Sequence, residues 1–187
     1  MRLFIATTFP NAATAPLNAG IAILRASVPH ASWVKPDAQH LTFAFLGEQE
    51  GGIVQTIAPL LHAALAPLAP FEASLDGCGF FPNAQRARVG WIGVEPVARF
   101  QSIAATVRKA LSSAGIETES KELEPHLTVV RIRDPWEPSS IEQFASALAD
   151  FKSPSFTVET VSLYESALKP HGAVHTVLKE FALNGVG

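Results

Sequence analysis

Apolar residues fall in two rhythms along this chain. Short apolar runs read as strands, and longer stretches with apolar positions three or four apart read as helices. Arg2 to Thr8 predicts an opening strand. The Ala-rich segment from Ala13 to Ser27 carries Leu17, Ile21 and Leu24 along one helical face. Leu41 to Leu46, with Phe43 and Phe45, predicts a short strand that Gly47 stops. A helix follows from Ile53 to Ala66, where Pro59 either kinks the helix or starts its better half. Two strands, near Phe71 to Leu75 and Ala87 to Ile92, flank a loop holding Gly77, Gly79, Pro82 and Asn83.

The second half repeats the order. A helix from Val97 to Ala114 stops at Gly115, and a strand begins at Pro125-His126. Pro135-Trp136-Glu137-Pro138 reads as a loop, then come a helix from Ser139 to Ala149 and strands near Ser155 to Tyr164 and Val174 to Leu183. Each half thus reads helix, strand, helix, strand, strand, and the spacing from His40 to Phe71 nearly equals that from His126 to Ser155. The expectation is an α+β fold, bilobed, with two pseudo-symmetric sheet-and-helix lobes from an internal duplication and a central active-site groove, all within one domain spanning 1–187.

The equivalent strands open on the same tripeptide, His40-Leu41-Thr42 and His126-Leu127-Thr128. With six histidines in the chain, chance supplies about 0.03 copies of such a tripeptide at ordinary Leu and Thr usage. On a strand, residues i and i+2 share a face, so each copy offers an imidazole and a hydroxyl to one surface and a leucine to the other. Two imidazoles and two hydroxyls across a groove suit cleavage of a cyclic phosphodiester, where water loses a proton and the departing ribose oxygen gains one. Imidazole serves both roles because its ordinary pKa lies near neutral pH, and threonine hydroxyls can donate to non-bridging phosphate oxygens. The chemistry needs no metal. Regular extension would turn Arg131 away from His126; a bend or bulge near the strand end would aim it at the phosphate. Otherwise it is a solvated arginine paired with Asp134.

Composition narrows the class. At 187 residues, with 48% hydrophobic and 17% charged residues, the chain can bury a core. A formal net charge of −3 gives no global basic field for long duplexes, although a local basic cleft remains possible. The single cysteine, Cys78, excludes an internal disulfide framework and reads as a small buried residue. With no apolar segment of membrane-spanning length, a cytoplasmic chain without membrane contact is expected.

These residues resemble the two-histidine phosphoesterases, and among them the RNA 2′,3′-cyclic phosphodiesterases, also called 2′-5′ RNA ligases. The resemblance covers nearly the whole chain: Arg2-Leu3-Phe4-Ile5-Ala6, His40-Leu41-Thr42-Phe43 with Ala44-Phe45-Leu46-Gly47, Val89-Gly90-Trp91-Ile92-Gly93, Pro125-His126-Leu127-Thr128-Val129, and Leu163-Tyr164-Glu165-Ser166 with Leu178. It implies hydrolysis of a terminal 2′,3′-cyclic phosphate to a 2′-phosphomonoester; a monomer acting on RNA ends or nucleotides without a cofactor is the expectation. His40 would be the proton donor to the departing 3′ oxygen and His126 the proton acceptor from water. Thr42, Thr128 and Arg131 would bind the substrate. The order of the two histidines rests on the resemblance alone. Relatives often carry a tyrosine after the final glycine turn, where this chain has Gly172-Ala173-Val174-His175.

Other readings are weaker. His171 and His175 have a spacing that would chelate zinc on a helix, but Pro170 and Gly172 argue for a turn and strand. His30 and His62 read as surface residues. Phe9, Phe45, Phe80, Phe81 and Trp33 are candidates for base stacking or, individually, for the core. Gly-x-Ser-x-Gly, phosphate-loop and dinucleotide motifs are absent from the sequence. The competing functions are a 2′-5′ RNA ligase or 2′-5′ phosphodiesterase at the same site, and a noncatalytic module that binds RNA ends.

Overall fold

The computed structural model describes residues 1–169 and 172–186. The elements in chain order are β1 (Arg2–Thr8), α1 (Asn11–Leu24), β2 (Ser32–Trp33), β3 (His40–Glu48), α2 (Ile53–Leu65), β4 (Phe71–Phe81), β5 (Val89–Glu95), α3 (Val97–Ser113), β6 (His126–Arg131), α4 (Pro138–Leu148), β7 (Phe156–Val158), β8 (Thr160–Lys169) and β9 (Gly172–Ala182). They form two antiparallel sheets, ordered β3-β1-β8-β9 and β2-β6-β5-β4-β7. This is the expected bilobed α+β architecture, with one His-Leu-Thr strand in each sheet.

The lobes are not the two halves of the chain. The repeating unit is strand, helix, motif strand, helix, strand: β1-α1-β3-α2-β4 and then β5-α3-β6-α4-β8. Each unit gives its last strand to the other unit's sheet, since β8 pairs with β1 and β4 pairs with β5. The helices are shared as well. α3, from the second unit, packs on α2 and β3, while α1 packs on α4. One apolar core runs through both lobes, and Phe100 of α3 is fully buried in it between Phe43 and Phe71, with ring centroids at 6.4 and 5.1 Å. Burial of this kind contributes about 1.5–3 kcal/mol per large side chain and joins the units into a single body.

Several local expectations are corrected. Gly77 and Gly79 lie within β4, which continues to Phe81. Gly77 has φ +64° at a bulge opposite β5, a conformation open to glycine without penalty. Gly47, with φ +70°, lies inside β3. Pro59 does not break α2, which runs unbroken from Ile53 to Leu65, and Pro138 begins α4, where its missing N–H costs nothing. The expected strand from Ser155 to Tyr164 is two strands, β7 and β8, that join different sheets.

Glycine also permits close approach beside the second motif. Gly93 pairs with His126, and a Cβ at Gly93 would stand 2.5 Å from the Asp76 carbonyl oxygen of β4. Backbone sits on both sides, so no side-chain rotation relieves the clash. Gly93→Ala should lower unfolding free energy by about 1–3 kcal/mol, read as a lower urea midpoint with an unchanged slope.

Candidate functional site

Both histidines occupy the first position of their strands, β3 and β6. The carbonyl two residues upstream is therefore free of the ladder. His40 Nδ1–H donates to the Ala38 carbonyl at 2.8 Å, and His126 Nδ1–H donates to the Glu124 carbonyl at 2.7 Å. A carbonyl only accepts, so both rings carry their proton on Nδ1 when neutral and present a bare Nε2. Aromatic rings support each imidazole. Phe4 lies 5.1 Å from His40, and Phe81 stands edge-on to His126 at 4.8 Å.

Beyond each histidine the strand carries a bulge. On β1, Ile5 faces Ala44 and Ala6 faces Thr42, which leaves Phe43 as the extra residue of β3. On β5, Gly90 faces Val130 and Trp91 faces Thr128, which leaves Val129 as the extra residue of β6. Phe43 and Ala44 are both buried, as are Val129 and Val130, so strict alternation fails at the same place in both lobes. The residue five after the histidine is thereby turned back to the histidine's face. That residue is Phe45 in one lobe and Arg131 in the other.

His40, Thr42, His126, Thr128 and Arg131 all line one groove of about 990 Å³ between the sheets. Arg131 has no ion pair with Asp134 among the described residues. Of the aromatic candidates, Phe45, Phe81 and Trp33 line the groove, whereas Phe9 and Phe80 pack against the core rings Phe156 and Phe144. His30 and His62 are exposed. Cys78 is half-buried with its thiol near the Ala145 carbonyl, and burial pushes the thiol pKa up, away from reactivity. His171 is outside the described residues, so the zinc spacing with His175 is not placed.

Sequence reading missed three features of the groove. Phe4 and Tyr164 stack at 5.1 Å to make a small second apolar cluster under His40. His175 of β9 stands edge-on to His40 at 5.2 Å. Basic residues at the rim, Lys35, Arg108, Lys121 and Lys169, come from segments far apart in the chain. The local signal for Phe4 was its alternation with the core residues Leu3 and Ile5; the others required the fold.

Burial lowers the pKa of both motif histidines, opposed in each case by the carbonyl that accepts from Nδ1–H. Beyond those effects the surroundings differ. His175, Arg131 and His126 disfavour a proton on His40, whereas the Glu124 carboxylate favours one on His126 and Arg131 opposes it.

A His-Leu-Thr strand in each of two lobes, both facing one groove, is the arrangement of a two-histidine phosphoesterase. The profile of the 2′-5′ RNA ligase superfamily matches residues 16–170, and the chain belongs to that superfamily. A protein of Methanothermobacter thermautotrophicus called RNA 2′,3′-cyclic phosphodiesterase is 30% identical over 160 residues, covering 86% of each chain. One of Thermotoga maritima with the same name is 32% identical over 158 residues, covering 83% of this chain and 81% of its own. Among solved structures, a protein of Thermus thermophilus superposes with a TM-score of 0.81 at 30% identity over 99% of each chain. Escherichia coli LigT complexed with 3′-AMP does so with 0.72 at 26% identity over 97% of each.

The lowered imidazole pKa values make stability depend on pH. Below the ordinary histidine value of 6.5 the unfolded chain binds protons that the native groove resists. The histidine contribution is therefore fully present above pH 6.5 and is lost as pH falls through the lowered native values. Urea denaturation at pH 7.5 and 5.5 should show a larger loss of stability on acidification for the wild type than for His40→Asn/His126→Asn.

Proposed function

We propose that the groove hydrolyses RNA or nucleotide 2′,3′-cyclic phosphates to 2′-phosphomonoesters by proton transfers through His126 and His40. The observation that carries this reading is the pair of equivalently tethered imidazoles, each presenting a bare Nε2 to one groove. Relatives at about 30% identity named RNA 2′,3′-cyclic phosphodiesterase supply the substrate class.

In the step, His126 Nε2 accepts a proton from water as the water oxygen bonds to phosphorus. The bond from phosphorus to the 3′ oxygen breaks, and protonated His40 delivers its Nε2 proton to that oxygen. A 2′-phosphate and a free 3′-hydroxyl result, and the two histidines end with their protonation states exchanged. Thr42 and Thr128 hydroxyls donate to non-bridging oxygens, and Arg131 offers a charged fork to the same oxygens. The Glu124 carboxylate favours a proton on His126, while Arg131 opposes one on His40, which supports this order of roles. In the empty groove burial keeps both rings neutral near pH 7. The negative phosphodiester then supplies the charge that favours a proton on His40. The reaction needs no cofactor.

His40, Thr42, His126, Thr128 and Arg131 line one groove within one chain, and the protein is read as acting as a monomer. The exchange of final strands between two like-ordered units supports one domain built by internal duplication. Among the described residues no helix is long and apolar enough to cross a membrane; an RNA substrate and a lone cysteine support a cytoplasmic setting. With a 5′-hydroxyl attacking phosphorus in place of water, the same proton transfers would join it to the cyclic phosphate as the bond to the 3′ oxygen breaks, giving a 2′-5′ linkage, but water outcompetes that nucleophile in dilute solution.

The test uses an RNA oligonucleotide ending in a 2′,3′-cyclic phosphate, incubated with excess chelator and followed by phosphorus NMR. A 2′-phosphate should form. His40→Ala and His126→Ala should each lower kcat by about 10²–10⁴ while binding of the 2′-phosphate product persists. A 3′-phosphate product, or full activity in either variant, would refute the assignment. Since acid and base titrate as a pair, kcat/KM should trace a bell against pH whose limbs belong to both histidines. Arg131→Ala should raise KM more than it lowers kcat if the guanidinium binds the ground-state phosphate, with kcat/KM down by about tenfold or more.

A further inference from the structure

Among the described residues, the proton transfers leave one imidazole of the groove, that of His175, without a task. His175 stands edge-on to His40 with ring centroids 5.2 Å apart at 81°, and edge-on to Phe4 at 5.0 Å and 77°. It belongs to the sheet of His40 and lines the groove. Its register partner on β8 is Ser166, which lines the groove too.

Its hydrogen bonding is the reverse of the motif pair. His40 and His126 each commit Nδ1–H to a carbonyl and present Nε2 as an acceptor. Nδ1 of His175 is buried and has no partner among the described residues. A buried N–H without an acceptor costs about 1–3 kcal/mol, and orphaned N–H groups are rarer in proteins than under-used acceptors. The neutral tautomer with a bare Nδ1 is therefore favoured, and it carries the proton on Nε2. The charged ring would need N–H at both nitrogens, including the buried one, and burial lowers the proton affinity of His175 accordingly. The third imidazole is thus built as a neutral N–H donor beside the proton-donating histidine.

We propose that His175 is a substrate-contacting positioning residue whose Nε2–H donates to an oxygen of the terminal ribose phosphate on the His40 side, while its ring edge fixes the plane of His40. The assignment rests on reading the groove as a cyclic phosphodiesterase site. Two acceptor imidazoles and one donor imidazole would then surround the reacting group. A donor there favours the ribose phosphate in the orientation that points its 3′ oxygen at His40.

Two measurements decide it. Long-range ¹⁵N–¹H correlation spectra at neutral pH, with His175 assigned by its loss in His175→Phe, should place the His175 proton on Nε2 and those of His40 and His126 on Nδ1. Addition of a 2′-phosphomononucleotide should shift the His175 Nε2–H resonance. A proton on Nδ1 of His175, or an unmoved resonance at saturation, overturns the proposal whether or not the protein is a cyclic phosphodiesterase. In kinetics on RNA ending in a cyclic phosphate, His175→Phe keeps a flat ring against His40 and Phe4 but donates nothing. It should lower kcat/KM about tenfold, chiefly through KM, with an unchanged denaturation midpoint, and His175→Gln should recover most of the loss. Wild-type values in His175→Phe, or equal losses in both variants, overturn the donor role. A wild type without turnover on this substrate sinks the functional reading instead and leaves the spectra to judge His175.

Discussion

Each motif imidazole is tied through Nδ1–H to the carbonyl two residues upstream, Ala38 for His40 and Glu124 for His126. The rest of the site depends on that tether. It is available only because both histidines stand at the first position of a strand, where the preceding carbonyl is outside the ladder. The bond selects the tautomer, holds the ring plane and aims Nε2 at the groove, so orientation is achieved before any substrate arrives. The two rings differ in what surrounds equal tethers.

Two bulges turn a symmetric scaffold into an asymmetric site. The extra residues Phe43 and Val129 shift the alternation at matched places, so the fifth residue after each histidine returns to the groove. One lobe places Arg131 there, a planar guanidinium. The other places Phe45, an aromatic ring that is 61% exposed. The groove is therefore directional, with a guanidinium on one side and an aromatic ring on the other. His175 adds a further difference on the His40 side.

Burial sets the electrostatic baseline, since it disfavours the charged form of His40, His126 and His175. Against that baseline a single carboxylate or guanidinium carries weight. Glu124 works for a proton on His126, and Arg131 works against one on either motif histidine. Phe4, stacked on Tyr164 in a small cluster of its own, sets an apolar ring against His40 on this side of the groove.

The paired motifs are written locally. His40 with Thr42, and His126 with Thr128, share a face because side chains alternate along any extended strand, a rule that needs no partner. The strand character of Arg2 to Thr8 and the helices from Ile53 and Val97 were legible for the same reason, as local periodicity. Long-range packing settled what local rules cannot. It sent β4 and β8 into each other's sheets, because ladder hydrogen bonds are the same for every residue and only packing of the shared core selects the pairing. It turned Arg131 into the groove through a bulge that exists only against β5. And it brought His175 beside His40 across a sheet whose strands come from both ends of the chain, a proximity written in the folded core and in no neighbouring residues.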